Sequence, residues 1–362
     1  METALDAVRV LARRYSFAEV AALLAEGIDG RAFSVRTIAQ LQQLCAFGQR
    51  LVELDAEDFG VADATLASNV EHEVAARVAQ VMVPQALRKR AIECRMPQAP
   101  REMPRGALAS LHPTFRLLLE VIDVRFRRGE TMGVIAAAHI ASEYAPLLVW
   151  ERVLGHAGDP ALMAQAVGGI HSSWGHFEDL SCPHTKAEKS AAKRVLHVSQ
   201  ENAVGWRAYI DRQHSVVSQA LATCAAGCPQ PCTVYTRLSP HHAEIVRIGS
   251  RIALGLNGSA LIRLRHRAPV GHGFGVPSRA QVLEAWDHTR ESIGRLAPSI
   301  THDDGFVLPG FAHLVSTLAG QPMEASTLIG DTAAAIIELL PDAASAPDRS
   351  PTPAPAPPAR DR

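Results

Sequence analysis

A chain of 362 residues can bury one large core or two smaller ones. With 36 basic against 37 acidic side chains and 47% hydrophobic residues, it has no surplus field of either sign, which excludes attraction to nucleic acid or to an anionic membrane by bulk charge alone. Six cysteines in this length do not make a disulfide scaffold, the device of short secreted domains, and are expected as reduced, buried or metal-bound thiols.

The first residues, Met1-Glu2-Thr3-Ala4-Leu5-Asp6, carry two acids and lack the basic-then-apolar order of a secretory signal, so a cytoplasmic location is expected. Residues 5–90 repeat apolar side chains at helical spacing. Leu5, Val8, Leu11 and Ala12 share one face, Phe17, Val20, Ala21 and Leu24 a second, and Val35, Ile38, Leu41 and Cys45 a third. Ser16, with Glu19 three positions on, reads as an N-cap, Gly27 and Gly30 mark an exit, and Ser34 starts the next run. The connection 26–33 is too long for a helix-turn-helix reader, and Arg36 is the only basic contact its second helix would offer, so nucleic acid is not expected as a partner. Residues 55–67 read as an acidic loop and 69–94 as a long helix broken near Pro84.

Pro97, Pro100 and Pro104 fall in the aperiodic segment 95–105, which is read as a boundary. The expected organisation is an N-terminal helical region 1–94, a helical core domain 105–340 and a tail 341–362. Within the core domain, 115–126 is a helix closed by Arg127, Arg128 and Gly129, and 131–154 is a second, closed by Gly155. The short link implies that the two lie antiparallel. The apolar stretch 132–149 is interrupted by His139, Ser142, Glu143 and Pro146, so it reads as a buried helix and not as a membrane span. Further helices are expected at 186–197 and 202–224, from Ser239-Pro240 to 256, at 278–296 and at 326–340. Residues 260–267 alternate apolar and basic side chains as a short strand would. Beyond Pro341 the chain is Pro, Ala, Ser, Asp and Arg, with little to bury, and is expected to be disordered. The fold class is therefore mainly α: a multi-helix, bundle-type core with a short strand or irregular segment near 260–267 and a disordered C-terminal tail.

Three groups of residues carry possible chemistry. Cys224, Cys228 and Cys232 place three thiols in nine residues, and Gly227, Pro229 and Pro231 turn the chain so that the sulfurs can face one point. Cys182 or His184 would supply a fourth ligand, for tetrahedral zinc or, with four cysteines, an iron–sulfur cluster. The stretch 168–184 is dense in ligand types, with His171, His176, Glu178 and Asp179. The spacing meets no established motif, and the alternative is a set of small core thiols.

The second group is His139 and Glu143, four apart on an otherwise apolar helix, with Glu120 and Asp123 on the preceding one. Antiparallel packing would bring carboxylates and an imidazole together, as in carboxylate-bridged iron sites, although His-x-x-x-Glu departs from their Glu-x-x-His spacing. Pro146 frees the Ser142 carbonyl beside them. The alternative is a hydrogen bond that fixes helix register.

The third is Arg263, Arg265 and Arg267, on one face if 260–267 is a strand, followed by the glycine-rich Gly271-His-Gly273-Phe-Gly275. Together they would make an anion pocket, although no nucleotide fingerprint is matched.

From these groups the leading expectation is an intracellular helical protein binding zinc or an iron–sulfur cluster through its cysteines. The second is an oxidoreductase with non-haem iron in the helical interior, and the third a non-catalytic regulatory or scaffold protein whose N-terminal helices or tail engage a protein partner.

Overall fold

The computed structural model describes residues 2–26, 33–55, 82–167, 183–267 and 275–341. The acidic loop 56–67, the helix expected from 69 to 81, most of the ligand-dense stretch 168–184 including Cys182, the glycine run with Gly273, and the tail beyond Pro341 lie outside these residues.

The described residues are mainly α, and no strand occurs among them. The N-terminal helices are α1 (Glu2–Arg13), α2 (Phe17–Ala25), α3 (Val35–Glu53) and α4 (Gln85–Glu93). Then come α5 (His112–Arg128) and α6 (Thr131–Leu154), joined through Gly129, whose left-handed backbone (φ 79°) ends α5 and lets the chain reverse. The remainder is α7 (Pro160–Val167), α8 (Lys186–Val195), α9 (Ala203–Arg212), α10 (His214–Gly227), the single turn α11 (Thr233–Thr236), α12 (Pro240–Asn257), α13 (Ala260–Arg267), α14 (Arg279–Gly294), α15 (Phe311–Ala319) and α16 (Leu328–Glu338).

Helix α6 is the axis of the assembly, touching α5, α10, α12, α13, α14 and α15. Apolar residues on every side of it explain this placement, because a helix without a polar face must be surrounded. Ala138, Leu148, Val149 and Trp150 are all fully buried in it. Thr131–Leu154 and Pro240–Arg265 are long and apolar enough to cross a membrane by length and composition, which corrects the shorter measure taken from 132–149; 61% of the most apolar window of the first is buried against the rest of the chain.

Local signals fixed several helix starts. Ser34, Ser239 and Ser278 accept hydrogen bonds from Thr37, His242 and Gln281 N–H groups, satisfying donors that a helix start leaves open. Ser16 precedes α2 but makes no such bond, contrary to the expected cap. The helix expected over 202–224 is two helices, broken at Gln213 (φ −125°).

Residues 260–267 form helix α13, not the strand that their alternation suggested. Leu261, Ile262 and Leu264 are all buried there. In so short a segment the apolar positions fit a helix contact face as well as a strand face.

The segment 95–105 is tied down at both ends. Trp206 Nε1 donates to the Pro97 carbonyl (2.7 Å), and Arg105 forms a two-pronged ion pair with Asp159 (2.8 and 2.9 Å) while lying 5.2 Å over the Trp206 ring. The first and last elements also meet, since α1 and α3 pack on α16. One buried apolar cluster runs from Leu5 to Leu340.

Candidate functional site

Three segments deliver thiols and an imidazole to one buried spot. Cys224 lies in the last turn of α10, Cys228 caps the end of that helix, and Cys232 precedes α11. His184 stands just before α8, whose start is fixed by a capping box between Thr185 and Glu188. Glu188 also accepts from Thr223 Oγ1 (3.0 Å), one residue before Cys224, which locks α8 onto α10. All four side chains are nearly closed to solvent, with exposures of 7% for His184, 1% for Cys224, 8% for Cys228 and 0% for Cys232. No disulfide joins the described cysteines.

The hydrogen bonds set the chemistry of the imidazole. His184 Nε2 lies 3.0 Å from the Ala220 carbonyl, which can only accept, so Nε2 carries a proton; burial opposes the charged ring, but hydrogen bonds to Cys224 and to the Ala220 carbonyl outweigh it and push the imidazole up, and the other ring nitrogen is Nδ1. That nitrogen lies 3.8 Å from Cys228 Sγ. An imidazole held through one nitrogen by a backbone carbonyl, with the other facing soft donors, has the orientation that metal-binding histidines adopt.

The thiols differ from one another. Cys224 Sγ accepts the Cys232 N–H at 2.8 Å. The hydrogen bond between the two side chains, followed by burial, pushes the Cys224 thiol up. Burial also opposes ionisation of Cys232, but the Cys224 S–H and the Tyr235 and Val234 N–H groups outweigh it and hold that thiol below its usual range. As placed, no three His, Cys, Asp or Glu side chains among the described residues form a group that could hold a metal ion.

The carboxylate–histidine group is not assembled as the helix pairing suggested. Glu120 Oε1 accepts from Ile329 and Gly330 N–H (both 2.9 Å), so it caps the start of α16. Asp123 pairs with Arg127 (3.0 Å) on its own helix. His139 and Glu143 do face one another at 3.8 Å, but Arg265 Nη1 lies 2.6 Å from His139 Nε2, and a guanidinium can only donate, so that nitrogen is an acceptor already used. A polar network that single-sequence reasoning missed continues from there. Ser142 Oγ lies 3.2 Å from Asn257 Oδ1, Asn257 Nδ2 donates to Gln219 Oε1 (3.2 Å), and Gln219 Nε2 donates to the Glu143 carbonyl (3.1 Å). Its members lie up to 115 residues apart, a separation that no local pattern signals.

The arginine group divides as well. Successive residues of a helix are about 100° apart, so side chains two positions apart point in nearly opposite directions. Arg265 accordingly reaches α6, while Arg263 lines a cleft of about 780 Å³ between α13 and α14, beside Glu284 and His288. The Arg267 side chain and Gly273 lie outside the described residues.

No protein-family model, curated protein or solved structure matches the chain.

Proposed function

We propose that the chain binds a zinc ion through Cys224, Cys228, Cys232 and His184, and that the ion staples α8, α10 and the turn at α11. The observation that carries this reading is the 3.8 Å approach of Cys228 Sγ to His184 Nδ1, with Cys224 hydrogen-bonded both to His184 and to Cys232. Zinc–sulfur and zinc–nitrogen bonds of about 2.3 and 2.0 Å, at a tetrahedral angle, put a sulfur and a nitrogen ligand about 3.5 Å apart. The 3.8 Å between Cys228 Sγ and His184 Nδ1 is close to that edge. Three sulfurs and one nitrogen suit zinc better than a cluster that takes four thiolates.

Cobalt(II) reports such a site through its thiolate charge-transfer bands. Titrated into the reduced, metal-stripped full chain, one equivalent is expected to bind. Cys228→Ser and His184→Ala should each weaken uptake by at least about 100-fold, since even changes outside the ligand shell cost about 10–100-fold. Cys45→Ser, a buried thiol on α3, should leave it unchanged. Absence of uptake by the parent chain, or equal uptake by both ligand variants, would overturn the reading.

A further inference from the structure

A cavity of about 290 Å³ opens between α5, α6 and the start of α10, and a lobe of about 380 Å³ adjoins it, sharing Leu54, Met96, Tyr144 and Asp211. Neither lobe is lined by a residue of the thiol cluster. Phe115, Leu117 and Leu118 of α5, each at most 2% exposed, line the smaller lobe on its inner side, and Ile140 of α6, 37% exposed, lies toward solvent. Two acids line it as well, and both have cations in their surroundings. Glu143 faces His139 at 3.8 Å, and the Arg265 charge opposes the upward push that burial gives its carboxyl. Asp211 shares the adjoining lobe with Arg207. What remains on this wall is a pair of hydroxyls, Tyr144 on α6 and Ser215 on α10. Neither has a hydrogen-bond partner among the described residues, yet neither is sealed from solvent, unlike the closed-off, unpartnered hydroxyls of Tyr209 and Ser218 on α9 and α10. Burial, and after it the Glu143 and Asp211 charges, push the Tyr144 hydroxyl up, so it is a protonated donor at neutral pH.

Apolar walls with two open donors select a ligand by its charge and by its head-group. An ammonium or a carboxylate would give up hydration for surroundings in which acids and cations already balance, a desolvation cost with little to offset it. Water gains little along the leucines, because each buried molecule needs about two to four polar partners. An uncharged oxygen on an apolar chain suits both parts, its carbonyl accepting from the hydroxyls and its chain covering the α5 side chains. At about 30 Å³ per small group, the volume one water occupies in the liquid, the lobe holds on the order of nine or ten heavy atoms. The geometry points to this cavity as a binding site for an uncharged aliphatic ketone or aldehyde of about that size.

Isothermal titration of the full chain with octan-2-one, octylammonium and octanoate, three probes of similar size that differ in head-group charge, tests the assignment. The ketone is expected to bind one site per chain, at least about tenfold more tightly than either ion. Tyr144→Phe, which removes a donor and no apolar surface, should weaken the ketone by about threefold or more, the worth of one hydrogen bond. Leu118→Trp, which fills the chamber, should abolish binding; if that variant fails to fold, the Tyr144→Phe comparison decides alone. No heat from the ketone, either ion binding as tightly, or an affinity unaltered in Tyr144→Phe would each overturn the assignment.

Discussion

Burial acts on Glu120 and His214 in opposite senses. Desolvation pushes the Glu120 carboxyl from 4.5 up to about 7, even though the Gly330 and Ile329 N–H groups pull it down. His214 lies fully buried beside the rings of Tyr144 and Tyr209, and desolvation lowers it from 6.5 to about 4. The folded chain therefore holds a proton on Glu120 that the unfolded chain releases above 4.5, and this contribution to stability is lost as pH rises through about 7. For His214 the unfolded chain takes up the proton first, so its contribution is complete above 6.5 and lost as pH falls through about 4. Where the two windows overlap, the slopes offset. Glu120→Gln keeps an acceptor for the α16 start without a charge to desolvate. Relative to the parent it should gain stability between pH 5 and pH 8, by up to roughly 3 kcal/mol at one pKa unit per 1.36 kcal/mol. His214→Gln should flatten the acid limb. Parallel stability-against-pH curves for parent and variants, followed by chemical denaturation, would contradict both. That Glu120 caps a helix was not legible in the sequence, because its partners lie 209 and 210 residues away. The contact between Cys224 and Cys232 was legible, because a turn of glycine and prolines between them brings the two together locally.

At the scale of elements, close helix crossings make testable demands on glycine. In α12, a Cβ at Gly249 would lie 2.5 Å from Val149 Cγ1 on α6, whereas one at Gly255 would meet ordinary contacts at 3.5 Å from Ile293. Gly249→Ala should therefore destabilise by about 1–3 kcal/mol through overpacking, while Gly255→Ala should stabilise by up to about 1 kcal/mol through helix propensity. Equal effects on Tm would show that the α6–α12 crossing is looser than described. Helices with serine starts or glycine ends were legible, because the cap satisfies backbone groups within three residues of itself. Residues 260–267 were not, since Ile262 and Leu264 alternate with arginines as in a strand while Leu261, Ile262 and Leu264 also lie within one helical face. The break at Gln213 was equally hidden, because neither glycine nor proline marks it.

For the whole molecule, the sequence announced a helical core but not how its ends meet. The packing of α1 and α3 on α16 and the Arg105–Asp159 pair depend on long-range contacts that composition does not encode. The zinc proposal belongs at this scale, because His184 and the thiols come from segments about 40 residues apart and an ion joining them closes a long loop. X-ray absorption at the zinc edge of the full chain, purified without added metal and loaded with one equivalent, tests it most directly. The account requires a four-coordinate first shell of three sulfurs at about 2.3 Å and one nitrogen at about 2.0–2.1 Å. A shell of oxygen and nitrogen alone, or zinc that washes off before measurement, would contradict it.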